Sequence, residues 1–236
     1  MAERFADRSV VVTGGTGALG RAVVQALLDE GAACHISAFE ADPPDIHFEG
    51  GGGVTITGGV DLSQDDAVRE FYEQVAEDGP IWASLHIAGG FAMGAIEDTS
   101  IDGFARQMMM NAASCFLCCR EAVRHMKNSG GGRIVNVSAM PGLEPVRGAG
   151  MVAYTASKAA VAAITQSLAA EVKAAGIWVN AIAPSIIDTP ANRRAMPDAD
   201  HGSWATPQDL ARTMLFLASP ENSATTGALV PTGGRS

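Results

Sequence analysis

The sequence is poor in positive charge. Its 236 residues include 16 Lys and Arg against 26 Asp and Glu, which gives a formal net charge of −10, and no run is rich in Lys or Arg. Nucleic acids and anionic membrane surfaces are bound through clustered basic side chains, so neither is expected as a main partner. The chain also lacks an uninterrupted apolar run of about 20 residues, the length that spans a bilayer. Residues 1–12 lack the apolar core of a signal peptide. These absences predict a soluble, cytoplasmic protein.

Cysteine is scarce as well, with four in the chain. Cys115, Cys118 and Cys119 fall within one helical pattern, in which Cys115 and Cys119 share a face. A metal site would need a second ligand pair with suitable spacing, and the histidines do not supply one. The histidines are His35, His47, His86, His125 and His201. We therefore expect buried, reduced thiols and no metal site.

A glycine-rich turn follows the first predicted strand. Residues 9–12 form a short β-branched apolar run, typical of a buried strand, and Gly15-x-Gly17-x-x-Gly20 comes directly after it. A helical apolar pattern then continues to a stop at Gly31. In this order the glycines allow a tight turn and a close approach to a pyrophosphate, whose charge faces the helix N-terminus. The stretch predicts a dinucleotide-binding turn, and a purely structural turn is the alternative.

Strands alternate with helices along the rest of the sequence. Further strands are predicted at residues 34–38, 54–57, 81–88, 133–138, 177–182 and 228–230, and further helices at residues 65–78, 101–126, 154–175 and 207–218. This alternation predicts an α/β fold with a doubly wound, Rossmann-type parallel sheet of about seven strands. Helices would cover both faces, giving three α/β/α layers in a single NAD(P)-binding domain over residues 1–236. Residues 49–53, mostly glycine, are expected to form a flexible surface loop, and residues 184–204 a mobile loop that defines the substrate.

The end of the second predicted strand bears on the choice of nucleotide. An acid about 20 residues after the glycine turn commonly binds the adenosine ribose, and Ala38, Phe39 and Glu40 occupy this region. Glu40 can serve the ribose hydroxyls. Because residues 32–48 contain no Arg or Lys that could meet a 2′-phosphate, the sequence favours NADH over NADPH.

Tyr154 and Lys158 are four residues apart at the start of the alanine-rich helix. This spacing places them one turn apart on the same face. An ammonium beside a phenol stabilises the phenolate and lowers the phenol pKa from about 10 towards the range useful for proton transfer. For the isolated pair, a solvated helix face is the commoner explanation of this spacing.

With these motifs in place, the chain resembles the short-chain dehydrogenase/reductase family along nearly its whole length. The resemblance includes Thr13-Gly14-x-x-x-Ala18-x-Gly20, Asp61 after the third strand, Ala88-Gly89 after the fourth, and Ile182-Ala183-Pro184 with Thr189. It implies the catalytic residues Asn111, Ser138, Tyr154 and Lys158. The cofactor-binding residues that it implies, together with Glu40, are Gly14, Thr16, Gly17, Ala18, Leu19, Gly20, Asp61, Leu62, Ala88, Gly89, Tyr154, Lys158, Pro184, Ile187 and Thr189.

The resemblance implies hydride transfer between nicotinamide C4 and a small carbonyl or alcohol substrate. Tyr154 would donate the proton to the substrate oxygen, and Lys158 would lower the pKa of Tyr154 and bind the nicotinamide ribose. Ser138 would hydrogen-bond the substrate oxygen. Asn111 would hold a water that links Lys158 to solvent, or it marks a kink in its helix. Family members usually assemble through the helices at residues 101–126 and 154–175, so a homodimer or homotetramer is expected.

Three positions depart from the family pattern. Ile87 stands where the family usually has asparagine, and Ser185 replaces a glycine after Pro184. The interval from Ser138 to Tyr154 is a few residues longer than usual. Because that interval borders the substrate pocket, Ser138 is the catalytic residue that it affects most.

A narrower resemblance is to dihydropteridine reductase, a member of the same family. It rests on residues 188–200 with Trp204, and on Ala88-Gly89-Gly90-Phe91. It implies a planar, pterin-type substrate as an alternative, with Phe91 and Trp204 flanking it or packing in the core. Those enzymes lack the serine that Ser138 represents here. A second alternative, of another class, is a non-catalytic dinucleotide-binding regulator.

Overall fold

One parallel sheet contains all the strands of the described residues. The computed structural model describes residues 3–43, 45–49 and 53–235, so residues 50–52 of the predicted surface loop at 49–53 lie outside them. The strands are β1 (Ser9–Thr13), β2 (Ala33–Ser37), β3 (Val54–Thr57), β4 (Ile81–His86), β5 (Gly132–Val137), β6 (Ile177–Pro184) and β7 (Leu229–Thr232). Their order is β3-β2-β1-β4-β5-β6-β7, and every pairing is parallel. The predicted seven-stranded, doubly wound sheet is confirmed.

Helices cover both faces of the sheet. The α-helices of the described residues are α1 (Ala18–Leu28), α2 (Asp65–Glu77), α3 (Ile101–Gln107), α4 (Ser114–Asn128), α5 (Met140–Leu143), α6 (Val152–Val172), α7 (Pro190–Ala195) and α8 (Pro207–Ala218). Side chains of α1 and α8 form the core on one face, and those of α2, α4 and α6 form the core on the other. The predicted three layers are therefore present. No helix in the described ranges combines the length and hydropathy needed to cross a membrane.

The sequence of strand β1 is continuously apolar, and the packing of the strand explains why. Side chains alternate between the faces of a strand, and Val10 and Val12 enter the core beside α1 while Val11 enters the core beside α2. All three are fully buried. A strand covered by helices on both faces needs apolar side chains at every position, which is why the run lacks polar alternation.

Two predicted elements differ from the structure in their interior. The helix expected at residues 101–126 consists of α3 and α4 joined by a π-helical segment, Met108–Ala113. The region expected as a loop at residues 184–204 contains α7 and a short 3₁₀ helix, His201–Ser203. Pro190 opens α7, and the Thr189 hydroxyl caps it by accepting a hydrogen bond from Asn192 N. The region is therefore structured in part.

The strand order reverses direction between β1 and β4. From β1 the chain proceeds outwards through β2 and β3, and it then returns to the other side of β1 at β4. Ligands of doubly wound sheets bind at the carboxyl ends of the strands at such a reversal. The glycine turn after β1 and the Ala88-Gly89 turn after β4 both lie at this point.

Candidate active site

A cavity of about 690 Å³ opens at the carboxyl ends of β1, β2 and β4. The predicted cofactor residues that line it are Gly14, Thr16, Gly17, Ala18, Leu19, Gly20, Glu40, Asp61, Leu62, Ala88 and Gly89. The structure therefore brings together the glycine turn, the end of β2 and the turn after β4. This is the placement expected for a dinucleotide that extends across the reversal in strand order.

Glycine is required in this turn because the backbones are in close contact. Gly14 has φ +67, and a Cβ there would lie 2.8 Å from the backbone nitrogen of Ala88. A Cβ at Gly20 would collide with the carbonyl oxygen of Gly14. The turn is thus held tightly against β4 and the first turn of α1. A cradle of bare backbone at a helix N-terminus fits the pyrophosphate of a nicotinamide dinucleotide.

The sequence did not reveal several residues that line the same cavity. They are Ser37, Val60, Ser63, Arg106, Met109, Met110 and Ser114. Arg106 brings a positive charge to the cavity from outside residues 32–48. It lies on α3, far along the chain from the glycine turn, and no local pattern indicates that the two meet.

The segment after β6 does not line this cavity. Thr189 uses its hydroxyl to cap α7, and Ile187 forms a parallel bridge with Ala205. Pro184 ends β6 opposite Thr232 of β7. The expected contact of this segment with the nicotinamide stays a prediction.

Tyr154 and Lys158 lie together on α6, and the second of them is buried. Lys158 is 6% exposed, and its Nζ donates a hydrogen bond to the carbonyl oxygen of Val137 at 2.9 Å. The same Nζ lies 6.0 Å from the centroid of the Tyr154 ring. The predicted juxtaposition is therefore present, at the carboxyl end of β5.

Burial is the largest cause of the pKa shift of both groups. It raises the pKa of Tyr154 to about 12 and lowers the pKa of Lys158 to about 8, because a buried charge loses its hydration. The net shift of the Tyr154 pKa is therefore upward, opposite to the lowering expected from the spacing, because burial outweighs the stabilisation of the phenolate by Lys158. The phenol is neutral at pH 7, so it is a proton donor.

Asn111 lies within the π-helical segment and hydrogen-bonds both the turn after β4 and α6. Its Oδ1 accepts a hydrogen bond from Gly90 N at 3.0 Å, and its Nδ2 donates to Gly90 O and to Ser157 Oγ, each at 3.0 Å. A Cβ at Gly89 would lie 2.5 Å from Asn111 Oδ1 and 3.4 Å from Lys158 Nζ. Asn111 therefore joins the turn after β4 to α6 beside Lys158, and a π-helical turn often marks a functional site. The expected water relay stays a prediction.

Ser138 does not have the geometry expected of a residue that binds the substrate. It is 1% exposed, and its Oγ donates to the backbone carbonyl of Lys158 at 2.8 Å. A Cβ at Gly142 would lie 2.9 Å from the same Oγ, so α5 packs over it. Ala139 is in extended conformation, and its side chain therefore points to the opposite side. Residues of α5 thus enclose Ser138, and its expected hydrogen bond to the substrate oxygen stays a prediction.

The comparison with known families decides the class of protein. The model of the short-chain dehydrogenase family matches residues 8–200. The chain belongs to this family. The short-chain dehydrogenase is an NAD(P)-dependent oxidoreductase of carbonyl or alcohol substrates, so the interpretation as an enzyme is confirmed over that of a non-catalytic regulator.

Three similar proteins show how far the likeness extends. A 3beta-hydroxysteroid dehydrogenase of Mediterraneibacter gnavus is 32% identical, over 98% of this chain and 95% of its own. A cis-4-hydroxycyclohexanecarboxylate dehydrogenase of Sinomonas cyclohexanicum is 32% identical, over 99% of this chain and 98% of its own. A solved structure described as an NAD(P)-dependent gluconate 5-dehydrogenase from Beutenbergia cavernae, with NADP bound at low occupancy, is 25% identical with a TM-score of 0.87. The alignment covers 99% of this chain and 98% of the solved chain.

The two aromatic residues expected near the substrate lie in different environments. Phe91 is 58% exposed, and its ring meets the Tyr154 ring edge-on, with the centroids 4.9 Å apart. Trp204 is 7% exposed and packs against His201. Phe91 is therefore beside the active site of this short-chain dehydrogenase, whereas Trp204 is a packing residue. Arg193 on α7 forms an ion pair with Asp188 at 2.7 Å.

The short-chain dehydrogenase also contains a group of buried histidine and cysteine side chains that the sequence spacing did not indicate. His86 at the end of β4 lies close to Cys115 and Cys119 on α4, and its Nδ1 also lies 2.8 Å from Asn136 Oδ1. The ligand atoms of all three lie within 4.8 Å of one another. His86 and Cys119 lie on different elements and are 33 positions apart in the sequence. No sequence spacing therefore indicates the cluster. The expectation that the chain has no metal site stays a prediction.

Proposed function

We propose that this enzyme interconverts a ketone and an alcohol on a carbon ring, with Tyr154 as the general acid of reduction. The placement of Tyr154 carries the proposal: it stands beside buried Lys158 and is flanked by the exposed ring of Phe91. Met93, 65% exposed, adds an apolar surface near the same turn. Both curated relatives are named for a hydroxyl group on a ring, one of a steroid and one of a cyclohexane.

Tyr154 and Lys158 divide the proton chemistry. The nicotinamide, when bound, supplies the hydride for reduction or accepts it in oxidation. Tyr154, neutral at pH 7 because burial raises its pKa to about 12, donates its hydroxyl proton to the substrate oxygen. Lys158 places an ammonium next to the resulting phenolate and stabilises it in a site with little water. Asn111 holds the turn at Gly89 and Gly90 against Lys158, which fixes the distance between cofactor and acid.

A pterin-type substrate is the second candidate, and Ser138 favours it. In this enzyme the Ser138 hydroxyl is committed to the Lys158 carbonyl, and dihydropteridine reductases, which the chain resembles at Phe91 and residues 188–200, lack the serine. A conjugated, planar substrate would rest against Phe91. The two candidates differ in whether the reduced bond belongs to a ketone or to a quinonoid ring system.

A substrate panel tests the proposal. We expect turnover of cyclohexanone- and steroid-type ketones, and we expect Phe91→Ala to raise KM for them by about 5- to 150-fold, since an aromatic contact contributes about 1–3 kcal/mol. The reason is that the exposed ring provides substrate contact without taking part in proton transfer. Phe216→Ala, at an exposed phenylalanine on α8 that does not line the cofactor cavity, is the control and should leave the KM of the ketone unchanged. Turnover of quinonoid dihydropterin alone would favour the second candidate.

The preference for NADH over NADPH is a separate proposal. Glu40 is exposed and lines the cavity, where its carboxylate would bind ribose hydroxyls and repel a 2′-phosphate. Titration followed by nicotinamide fluorescence should give tighter binding of NADH, and Glu40→Gln should reduce the preference by about 5-fold or more, since one such charge contact is worth about 1 kcal/mol. Glu49→Gln, outside the cavity, is the control. Tighter binding of NADPH by the unmodified enzyme would contradict the proposal and would point to Arg106.

The oligomeric state and the cytoplasmic location stay predictions. Assembly through the helices that flank the π-helical segment is supported by Phe104 and Phe116, which are 39% and 52% exposed. Large apolar side chains of this kind are typical of surfaces that another subunit covers. A dimer or tetramer in sedimentation experiments would be the expected result.

A further inference from the structure

We propose that Phe39 and Arg106 hold the adenine ring of the nicotinamide cofactor between them, one against each face of the ring. Both side chains line the cavity at the carboxyl ends of β1, β2 and β4. Neither belongs to the cofactor-binding residues that the family resemblance implies. This assignment rests on the proposed binding of the dinucleotide in the cavity, and it adds two residues that determine how tightly the adenosine half is bound.

The cavity matches the adenosine half of the cofactor. Tyr154, Lys158 and Ser138 are not among the described residues that line it, so the reacting end of the nicotinamide lies beyond it. The glycine turn accounts for the pyrophosphate. An acid at the end of the second strand commonly binds the adenosine ribose, and Glu40 is proposed for this role. The adenine attached to that ribose is therefore expected next to the end of β2.

Phe39 presents an aromatic ring without a partner at this place. It directly precedes Glu40, and it is 72% exposed. Across the part of the chain that the structure describes, its ring neither stacks on another ring nor lies under a cation. Exposed apolar surface of this kind is typical of ligand-binding grooves. Bases stack on such rings because every base has a planar π-face.

Arg106 enters the same cavity from the other side of the reversal in strand order. Phe39 follows β2, on one side of β1, whereas Arg106 lies on α3, which follows β4 on the other side. Arg106 is exposed, and within the described residues its guanidinium forms no ion pair and no hydrogen bond. Two planar groups thus face one cavity from different walls without a partner. A planar ring between them would contact both.

The surroundings of Arg106 favour a planar ring over a phosphate group. Val60, Leu62, Met109 and Met110 add apolar side chains to the lining. An apolar lining suits the faces of a purine, whereas a phosphate requires several hydrogen-bond donors. A guanidinium is planar and weakly hydrated, so it stacks on aromatic faces as well as carrying a charge. Arg106 is therefore suited to cover the face of the adenine that Phe39 leaves open.

Titrations of the full chain test the pair. NADH is followed by its nicotinamide fluorescence, and ADP, which keeps the adenosine half and lacks the nicotinamide, by its displacement of bound NADH. We expect Phe39→Ala and Arg106→Ala each to raise the Kd of both ligands by about 5-fold or more, the range of one stacking or cation–π contact. Arg106→Lys should recover little of the affinity, because it keeps the charge and loses the planar group.

Matched controls lie one turn apart on α8. Arg212→Ala and Phe216→Ala remove the same two side-chain types at exposed positions outside the cavity lining, and they should leave both Kd values unchanged. Normal NADH binding by Phe39→Ala or Arg106→Ala, an unchanged Kd for ADP, or full recovery in Arg106→Lys would overturn the assignment while the cofactor cavity stands. Failure of the unmodified enzyme to bind NADH or NADPH would instead overturn the cavity as the cofactor site, and the assignment with it.

Discussion

Tyr154→Phe is expected to lower kcat by about 10²- to 10⁴-fold, the range that general acid catalysis contributes. The variant keeps the ring that packs edge-on against Phe91 and removes only the hydroxyl. Since Tyr154 is not among the residues that line the glycine-rich cavity, the affinity for the nicotinamide cofactor should change little. Steady-state kinetics and a fluorescence titration on the same preparation measure both quantities.

The chain offers one matched control, because it contains two tyrosines. Tyr72 is fully buried on α2 and hydrogen-bonds Ser84 and His86. Tyr72→Phe removes a hydroxyl as well, so it should cost stability, on the order of 1 kcal/mol, and leave kcat within about 2-fold of the unmodified enzyme when assayed well below its Tm. Near-normal turnover by Tyr154→Phe would exclude Tyr154 as the acid, whatever the behaviour of the control.

The parts of the site that could be predicted from sequence are those whose signals are local. Gly14, Gly17 and Gly20 follow a buried strand and precede a helix, and this order alone indicates a turn at the edge of a parallel sheet. Tyr154 and Lys158 share a helical face because of their spacing. In each case the residues that must meet are close along the chain, so periodicity and turn chemistry are sufficient.

Ser138 shows what such reasoning cannot supply, which is the direction of a side chain. Its position after β5 is as expected, but the direction of its side chain depends on how residues 139–153 pack. The short helix α5 lies over Ser138, with Gly142 close to the hydroxyl, and the Lys158 carbonyl accepts its hydrogen bond. A predicted strand gives the alternation of side chains between the two faces of the sheet. It does not give the face on which a particular side chain lies.

Long-range contacts account for the remaining differences. Arg106 reaches the cofactor cavity from α3, and His86 reaches Cys115 and Cys119 across the layer between β4 and α4. The pKa of Tyr154 is a further example, since the spacing to Lys158 suggested a lowered value and burial raises it. Burial is a property of the packed molecule, so the sequence cannot assign its magnitude to one residue.

Lys158→Met is expected to lower kcat by about 10²-fold or more and at the same time to raise the Tm by a few degrees at pH 7. Burial lowers the pKa of Lys158 from 10.5 to about 8, so the folded enzyme at pH 7 holds an ammonium that water would solvate better. Methionine fills a similar volume without a charge. Catalytic residues commonly reduce the stability of the folded protein in this way. A substitution that raises the Tm at such a position therefore lowers the activity.

The dependence on pH distinguishes this explanation from a simple packing gain. Below pH 8 both folded and unfolded chains bind the proton, and the full cost of the buried ammonium is present. Between about pH 8 and 10.5 the unfolded chain binds more protons than the folded one, so the stability of the unmodified enzyme should rise with pH through this window. The Tm advantage of Lys158→Met should therefore be largest below pH 8 and shrink towards zero near pH 10.5. Lys127→Met, at an exposed position of α4, is the control and should show no advantage at any pH. A Tm gain that is independent of pH would mean that the ammonium is not destabilising, and the assignment of Lys158 as a buried cation poised beside Tyr154 would have to be abandoned.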